Sequence, residues 1–385
     1  MTTHAAAVIT PKGLADIISL LWDQGRRVKG PTIKDGSLVY ADIKGVDRLP
    51  RGWSEEREAG VFRISQTDGP ALFGYSLGQD SFKRYLHPPR LTLSKMQRTK
   101  SGFAVRAQTD QQAPLALLGV RPCELAAIGI QDKVFIERPY PDKHYTAQRS
   151  QTLIIAVNCT KPGGTCFCAS MSTGPGAKEG FDLALTEVVE PDRHYFVVEA
   201  GSAAGAGLLE QVEHQPAGVE KETARRLVSE AAGRMGRSLE TEGIKDLLYA
   251  NREHPHWQTT ATRCLACGNC TLVCPTCFCH TLYDGQDLDG RSAWRARRWD
   301  TCFSPDFSYI HGGSVRTSPW ARYRQWVSHK LAAWQDQFGV VGCVGCGRCI
   351  TWCPVGMDIT REVGMLRQSG HTGQEPQPGH GVDHG

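Results

Sequence analysis

Eight of the fifteen cysteines fall into two runs of one pattern. The first is Cys264, Cys267, Cys270 and Cys274, followed by Pro275. The second is Cys343, Cys346, Cys349 and Cys353, followed by Pro354. Each reads C-x2-C-x2-C-x3-C-P, the spacing of bacterial ferredoxin ligands to [4Fe–4S]. Three thiolates two residues apart can wrap three irons of one cube, whereas the fourth turns away and, in two-cluster ferredoxins, reaches the other cube. The expected sets are therefore Cys264, Cys267, Cys270 and Cys353 for cluster one, and Cys343, Cys346, Cys349 and Cys274 for cluster two. Small residues within the runs (Ala266, Gly268, Gly345, Gly347) let backbone amides approach the sulfurs, which tunes reduction potential. Structural zinc normally takes two separated pairs of ligands. Disulfides belong to oxidising compartments and small secreted chains, and an odd number of cysteines cannot all pair.

Four further cysteines, Cys123, Cys159, Cys166 and Cys168, lie in a stretch that reads as α/β. Cys123 and Cys159 each follow an apolar run with the character of a strand, at 115–120 and 153–157. Neighbouring parallel strands would bring their C-terminal ends together, where open α/β sheets place their sites. Cys166 and Cys168 sit a few residues on in a Gly-rich loop. Four thiols could thus converge on a third cube, against the plainer reading of cysteine as a small buried hydrophobe. Cys277, Cys279 and Cys302 complete the inventory. They could hold another metal with a ligand such as His280, or pack beside the clusters, and the residues alone leave this open.

The elements that must position these groups are legible in outline. The chain has 385 residues, 40% hydrophobic and 22% charged, enough for two or three domains with real cores. Residues 13–22 read as a short amphipathic helix through Leu14, Ile17, Ile18, Leu20 and Leu21. Strands are expected at 61–64, 115–120, 153–157 and 195–198, and helices at 219–239 and 243–249. A strong helix is expected between the two cysteine runs, capped by Ser318 and opened by Pro319. Tyr323, Trp326, Val327, Leu331, Trp334 and Phe338 recur along it at helical spacing, and Gly339 suits its end. The expected fold class is α+β: a mixed α/β domain over 1–245, then a mostly helical two-cluster ferredoxin domain over 246–371. A tail of Gly, Pro, Gln and His over 372–385 forms no plausible core.

Other function classes recede. The formal net charge is +4, small for this length, and no nucleic-acid-binding signature is present. No apolar run is long enough to span a membrane, and no secretory signal opens the chain, so a cytoplasmic protein is expected. Residues 201–207 are Gly- and Ala-rich but match neither G-x-G-x-x-G nor a P-loop, and a packing turn is the better reading. Arg291, Arg295, Arg297 and Arg298 form a basic patch, by default a solvated face and otherwise a docking surface for an acidic subunit. No acid–base constellation stands out, and no catalytic residue is assigned.

Several motifs resemble the β subunit of soluble NiFe sulfhydrogenases, the NAD(P)-linked hydrogenases, and are also similar to the iron–sulfur A subunit of anaerobic sulfite reductase. They are Gly119-Val120-Arg121-Pro122-Cys123-Glu124-Leu125, Cys166-Phe167-Cys168-Ala169-Ser170-Met171, Gly180-Phe181-Asp182-Leu183-Ala184, Cys274-Pro275-Thr276-Cys277-Phe278-Cys279, Arg322-Tyr323-Arg324-Gln325-Trp326 and Gly342-Cys343-Val344-Gly345-Cys346-Gly347-Arg348-Cys349. They span residues 115–365. The placement of Cys123 and Cys159 also looks like the cluster-bearing part of the β subunits of coenzyme F420-linked hydrogenases. The resemblance implies a complex. A flavin subunit would exchange hydride with NAD(P)H, and this chain would pass single electrons to a small iron–sulfur hydrogenase subunit and its nickel-binding large subunit. It implies no flavin on this chain and no catalysis by the chain alone. The same relay serving a sulfite reductase, and a self-contained flavin–iron–sulfur oxidoreductase, are the competing readings.

Overall fold

The structure is a computed structural model that describes residues 6–76, 78–107 and 113–369. The tail expected at 372–385 lies outside them.

An eight-stranded sheet organises the N-terminal part, in the order Gln215–Pro216, Ala6–Ile9, Arg193–Ala200, Leu183–Glu190, Leu153–Val157, Leu115–Val120, Arg27–Lys34 and Ser37–Asp42. Its centre is parallel: Leu115–Val120 pairs in parallel with Arg27–Lys34 on one side and Leu153–Val157 on the other, and the latter in turn with Leu183–Glu190. Every residue of the two central strands is buried, which is why they read as unbroken apolar runs. Alternate residues serve opposite faces. Ala116, Leu118, Ile155 and Val157 pack under the helix Pro11–Asp23. Leu117, Val120, Ile154 and Ala156 meet Leu125, Ile128 and Phe135 of the helix Pro122–Phe135. The expected strand at 61–64 lies instead in a separate hairpin, Trp53–Glu58 with Val61–Gln66.

A second core is helical. Trp257, Tyr323, Trp326, Val327, Leu331, Ile350 and Val363 bury one another and take in Phe167 from the α/β part. Ser318 caps the central helix by accepting from the Ala321 amide at 3.3 Å, with Pro319 following. Gly339 ends it in the left-handed region at φ 71°. The helix is not uniform: a π turn at His329–Ala333 separates Pro319–Ser328 from Trp334–Phe338.

One feature of the C-terminal part escaped the sequence reading. The strands His280–Gln286 and Ser292–Trp299 form a hairpin that adds to Arg90–Thr99 and Gly102–Ala107, completing a four-stranded antiparallel sheet. The two expected domains therefore share a sheet. The basic stretch belongs to this hairpin. Arg295 is exposed and binds Asp284 at 2.8 Å, but Arg297 is buried and pairs with Asp142.

Candidate metal centres

The two cysteine runs fold as near copies. In each, the second residue after the first cysteine has positive φ, 51° at Ala266 and 64° at Gly345. Its amide donates to the sulfur behind it: Ala266 to Cys264 Sγ at 3.4 Å, and Gly345 to Cys343 Sγ at 3.5 Å. A left-handed glycine, Gly268 or Gly347, then opens one helical turn, Asn269–Leu272 or Arg348–Thr351. The two turns are tied by the Asn269 side-chain amide, which donates to the Trp352 carbonyl. Burial pushes the Cys264 thiol up, and Cys353 and Cys267 add to this. Burial likewise raises Cys349, with Cys343, Cys346 and Cys274 adding to it. Cys353 thus acts on Cys264 and Cys270, and Cys274 on Cys349 and Cys270, so the fourth cysteine of each run lies where the two runs meet.

The four α/β cysteines also converge. Cys123 lies in the first turn of the helix that follows Leu115–Val120, and Cys159 just beyond Leu153–Val157. Burial raises the Cys123 thiol, helped by Cys168, Cys346 and Cys159. Cys159 is pushed up to about 11 by burial, against Arg121, with Cys166 adding to the rise. The same contacts show what the set adjoins, because Cys346 of the second run acts on both Cys123 and Cys168. The loops touch directly: Phe167 N donates to Gly345 O at 2.8 Å, and Thr173 Oγ1 to Val344 O at 2.7 Å. A Cβ on Gly345 would lie 2.6 Å from the Phe167 backbone, and one on Gly347 2.2 Å from Thr165 O. Both positions require glycine for the approach as well as for φ.

Comparison with known proteins agrees with this geometry. Residues 263–357 match the 4Fe-4S dicluster domain family. Sulfhydrogenase 2 subunit beta of Pyrococcus furiosus is 31% identical over 290 residues, covering 74% of this chain and 82% of that protein. The chain belongs to the sulfhydrogenase beta-subunit family. It is an iron–sulfur protein of electron transfer, and its dicluster domain is of the [4Fe–4S] kind. No solved structure matches it. No helix among the described residues is long and apolar enough to cross a membrane.

The residues of this family member fit such clusters on further grounds. Cys264, Cys267, Cys270, Cys349 and Cys353 line one small cavity with Tyr323 and Trp326. The Tyr323 hydroxyl and the Trp326 indole nitrogen are buried with no hydrogen-bond partner among the described residues. Buried donors are rarely left so, and sulfur acceptors beside them would satisfy both. Three arginines that the sequence reading did not single out surround the other sets. Arg57 is buried and donates from Nη1 to Cys166 Sγ at 3.5 Å and from Nη2 to Cys346 O at 3.0 Å. Arg121 donates to the carbonyls of Phe73, Tyr75, Ser76 and Asn158. Arg348 pairs with Glu124 at 3.1 Å. Nothing in an isolated arginine codon marks it as buried; the only available signal was adjacency to a cysteine, in Arg121-Pro122-Cys123 and Cys346-Gly347-Arg348-Cys349.

Cys277 and Cys279 extend the first run toward Cys302. Cys277 lies beside Cys274, and Cys279 beside Cys302, which in turn neighbours Cys270. His280 turns its Nδ1 to Phe278 O at 3.0 Å. The segment 201–207 is a packing turn: Ser202 caps Ala203–Leu209, and a Cβ on Gly205 would lie 1.9 Å from Asp182 O. An open cleft of about 790 Å³ runs between the helix Pro122–Phe135, residues 170–180 and residues 340–343, and reaches Cys343.

Proposed function

We propose that this chain relays single electrons through three [4Fe–4S] clusters between a flavin subunit that oxidises or reduces NAD(P) and a NiFe hydrogenase module. The clusters supply one-electron acceptors that can be filled and emptied without bond rearrangement. Cys264, Cys267, Cys270 and Cys353 would hold the first, Cys343, Cys346, Cys349 and Cys274 the second, and Cys123, Cys159, Cys166 and Cys168 the third. The observation that carries the reading is contiguity. Cys270 and Cys274 both act on Cys349, and Cys346 packs with Cys123 and Cys168, which supports a continuous path through the three sets. Cys267 is exposed at one end of it, a natural surface for a redox partner.

The relative is named as a subunit of a sulfhydrogenase, which supports hydrogenase partners. We assign a flavin/NAD(P)-binding subunit on one side, and a small iron–sulfur subunit with its nickel-binding large subunit on the other. With NAD(P) as substrate, the assembly belongs in the cytoplasm. The relative favours hydrogenase over sulfite reductase as the terminal partner. The chain itself has no catalytic role in this reading and carries no flavin.

Anaerobic purification of the native complex tests it. Nickel, a flavin subunit and NAD(P)-dependent hydrogen turnover are expected. Cys346→Ser should abolish that coupled turnover and spare hydrogen oxidation by an artificial dye. Sirohaem in place of nickel would assign the relay to sulfite reduction. Flavin absorbance in the isolated chain would make the chain an oxidoreductase in its own right.

A further inference from the structure

Two lysines are buried where the second cysteine run meets the first. Lys330 is 3% exposed and Lys83 4%. The π turn at His329–Ala333 carries Lys330 into the interior, where Nζ donates to Thr276 Oγ1 at 2.7 Å and Gly342 O at 3.0 Å. Extra residues of this kind in a helix frequently mark functional positions. Lys83 Nζ donates to the carbonyls of Cys274 at 2.9 Å, Cys277 at 3.1 Å and Leu272 at 3.4 Å, and lies 3.9 Å from the Trp299 ring centre. Neither ammonium has a carboxylate partner among the described residues.

Carbonyls and a hydroxyl solvate an ammonium but do not neutralise it, and an unneutralised buried charge is costly. The groups able to carry negative charge beside Lys330 are the sulfurs of Cys274, Cys277 and Cys343. Those beside Lys83 are Cys274, Cys277 and Cys279. Both cations thus adjoin Cys274. Among the described residues the first set has no such buried lysine: Arg263, the cation beside Cys264, is partly exposed and is bound to Glu362 at 2.6 Å.

We propose that Lys330, supported by Lys83, sets the reduction potential of the cluster held by Cys274, Cys343, Cys346 and Cys349, raising it by placing buried positive charge against its ligands. This rests on the assignment of that cluster above. Reduction adds one electron, and so one negative charge, to a group in surroundings of low dielectric. A fixed cation stabilises the reduced form more than the oxidised form. The electron comes from the donor subunit in turnover, and from dithionite in the test.

The experiment is a redox titration followed by paramagnetic resonance on the anaerobic complex, with the signal of this cluster identified by its selective loss in Cys346→Ser. Lys330→Met and Lys83→Met should each keep the full iron content and make that cluster harder to reduce. The expected shift for Lys330→Met is about tenfold in the reduction equilibrium, 59 mV for one electron. Lys330→Arg should restore most of it. An unchanged midpoint in both methionine variants would overturn the proposal. So would loss of this cluster's iron in both, since the lysines would then serve only to hold the loops. Absence of the signal from the unmutated complex would instead remove the cluster assignment itself.

Discussion

Glu124 and Arg348 form an ion pair of 3.1 Å with both side chains sealed from solvent. The pair joins the helix that carries Cys123 to the turn between Cys346 and Cys349. Glu124 also accepts from the Tyr40 hydroxyl at 2.8 Å and the Phe82 amide at 3.2 Å. Arg348 also donates to Gly78 O at 3.0 Å and Asp80 O at 2.7 Å. Burial and the Glu124 charge raise the Tyr40 phenol well above its usual value, so Tyr40 stays a donor. Removing one partner of such a pair leaves a buried charge uncompensated. Glu124→Gln should cost about 3–5 kcal/mol in denaturant unfolding. Tyr40→Phe, which loses one hydrogen bond to a charged group, should cost about 1.5–3 kcal/mol. Equal losses in the two variants would mean that the ion pair contributes nothing of its own.

The proposed exchange of the last cysteines makes a prediction at long range. Cys353→Ser should damage the cluster built on Cys264, Cys267 and Cys270, from which it is distant in sequence. Paramagnetic resonance of the reduced protein reads this directly. A change confined to the second cluster would reverse the assignment of Cys353 and Cys274.

Iron content tests the α/β set. Three cubes require about twelve irons per chain and two require about eight. Cys123→Ala should remove about four and leave both ferredoxin signals in place, although the neighbouring signal should broaden or shift because Cys123 and Cys346 adjoin. A full iron complement in Cys123→Ala and also in Cys166→Ala would return these residues to packing.

His87 supplies a pH dependence. Its ring is buried 4.8 Å from the Phe135 ring, and neither ring nitrogen has a hydrogen-bond partner among the described residues. Burial first, then Arg297, Lys83 and His280, hold its pKa down to about 2. The unfolded chain takes up this proton as pH falls below about 6.5, whereas the folded chain does not, so stability is lost toward acid. Between pH 8 and pH 6 the loss from this residue should be about 1 kcal/mol. His87→Phe should flatten the dependence by that amount in urea unfolding under anaerobic conditions. An unchanged slope would show that the imidazole is solvated.

Local chemistry was written plainly in the sequence. The spacing of Cys264–Cys274 and Cys343–Cys353 marked out the two candidate ligand runs, because a cube demands thiolates at fixed short intervals whatever surrounds them. Ser318, Pro319 and Gly339 determined the ends of the central helix, because capping is a matter of the nearest few residues. Unbroken apolar runs determined the buried strands that lead to Cys123 and Cys159. Other features depend on partners far away along the chain, and only the tertiary structure decided them. The hairpin of His280–Gln286 and Ser292–Trp299 owes its place to Arg90–Thr99, which no local pattern announces. Arg57, Glu124, Arg348, Lys83 and Lys330 are charged, and charged side chains belong by default in water. Each is buried because oppositely charged or carbonyl groups from a different part of the fold close round it. The contact of the 165–168 loop with Gly345 and Gly347 likewise joins segments far apart along the chain.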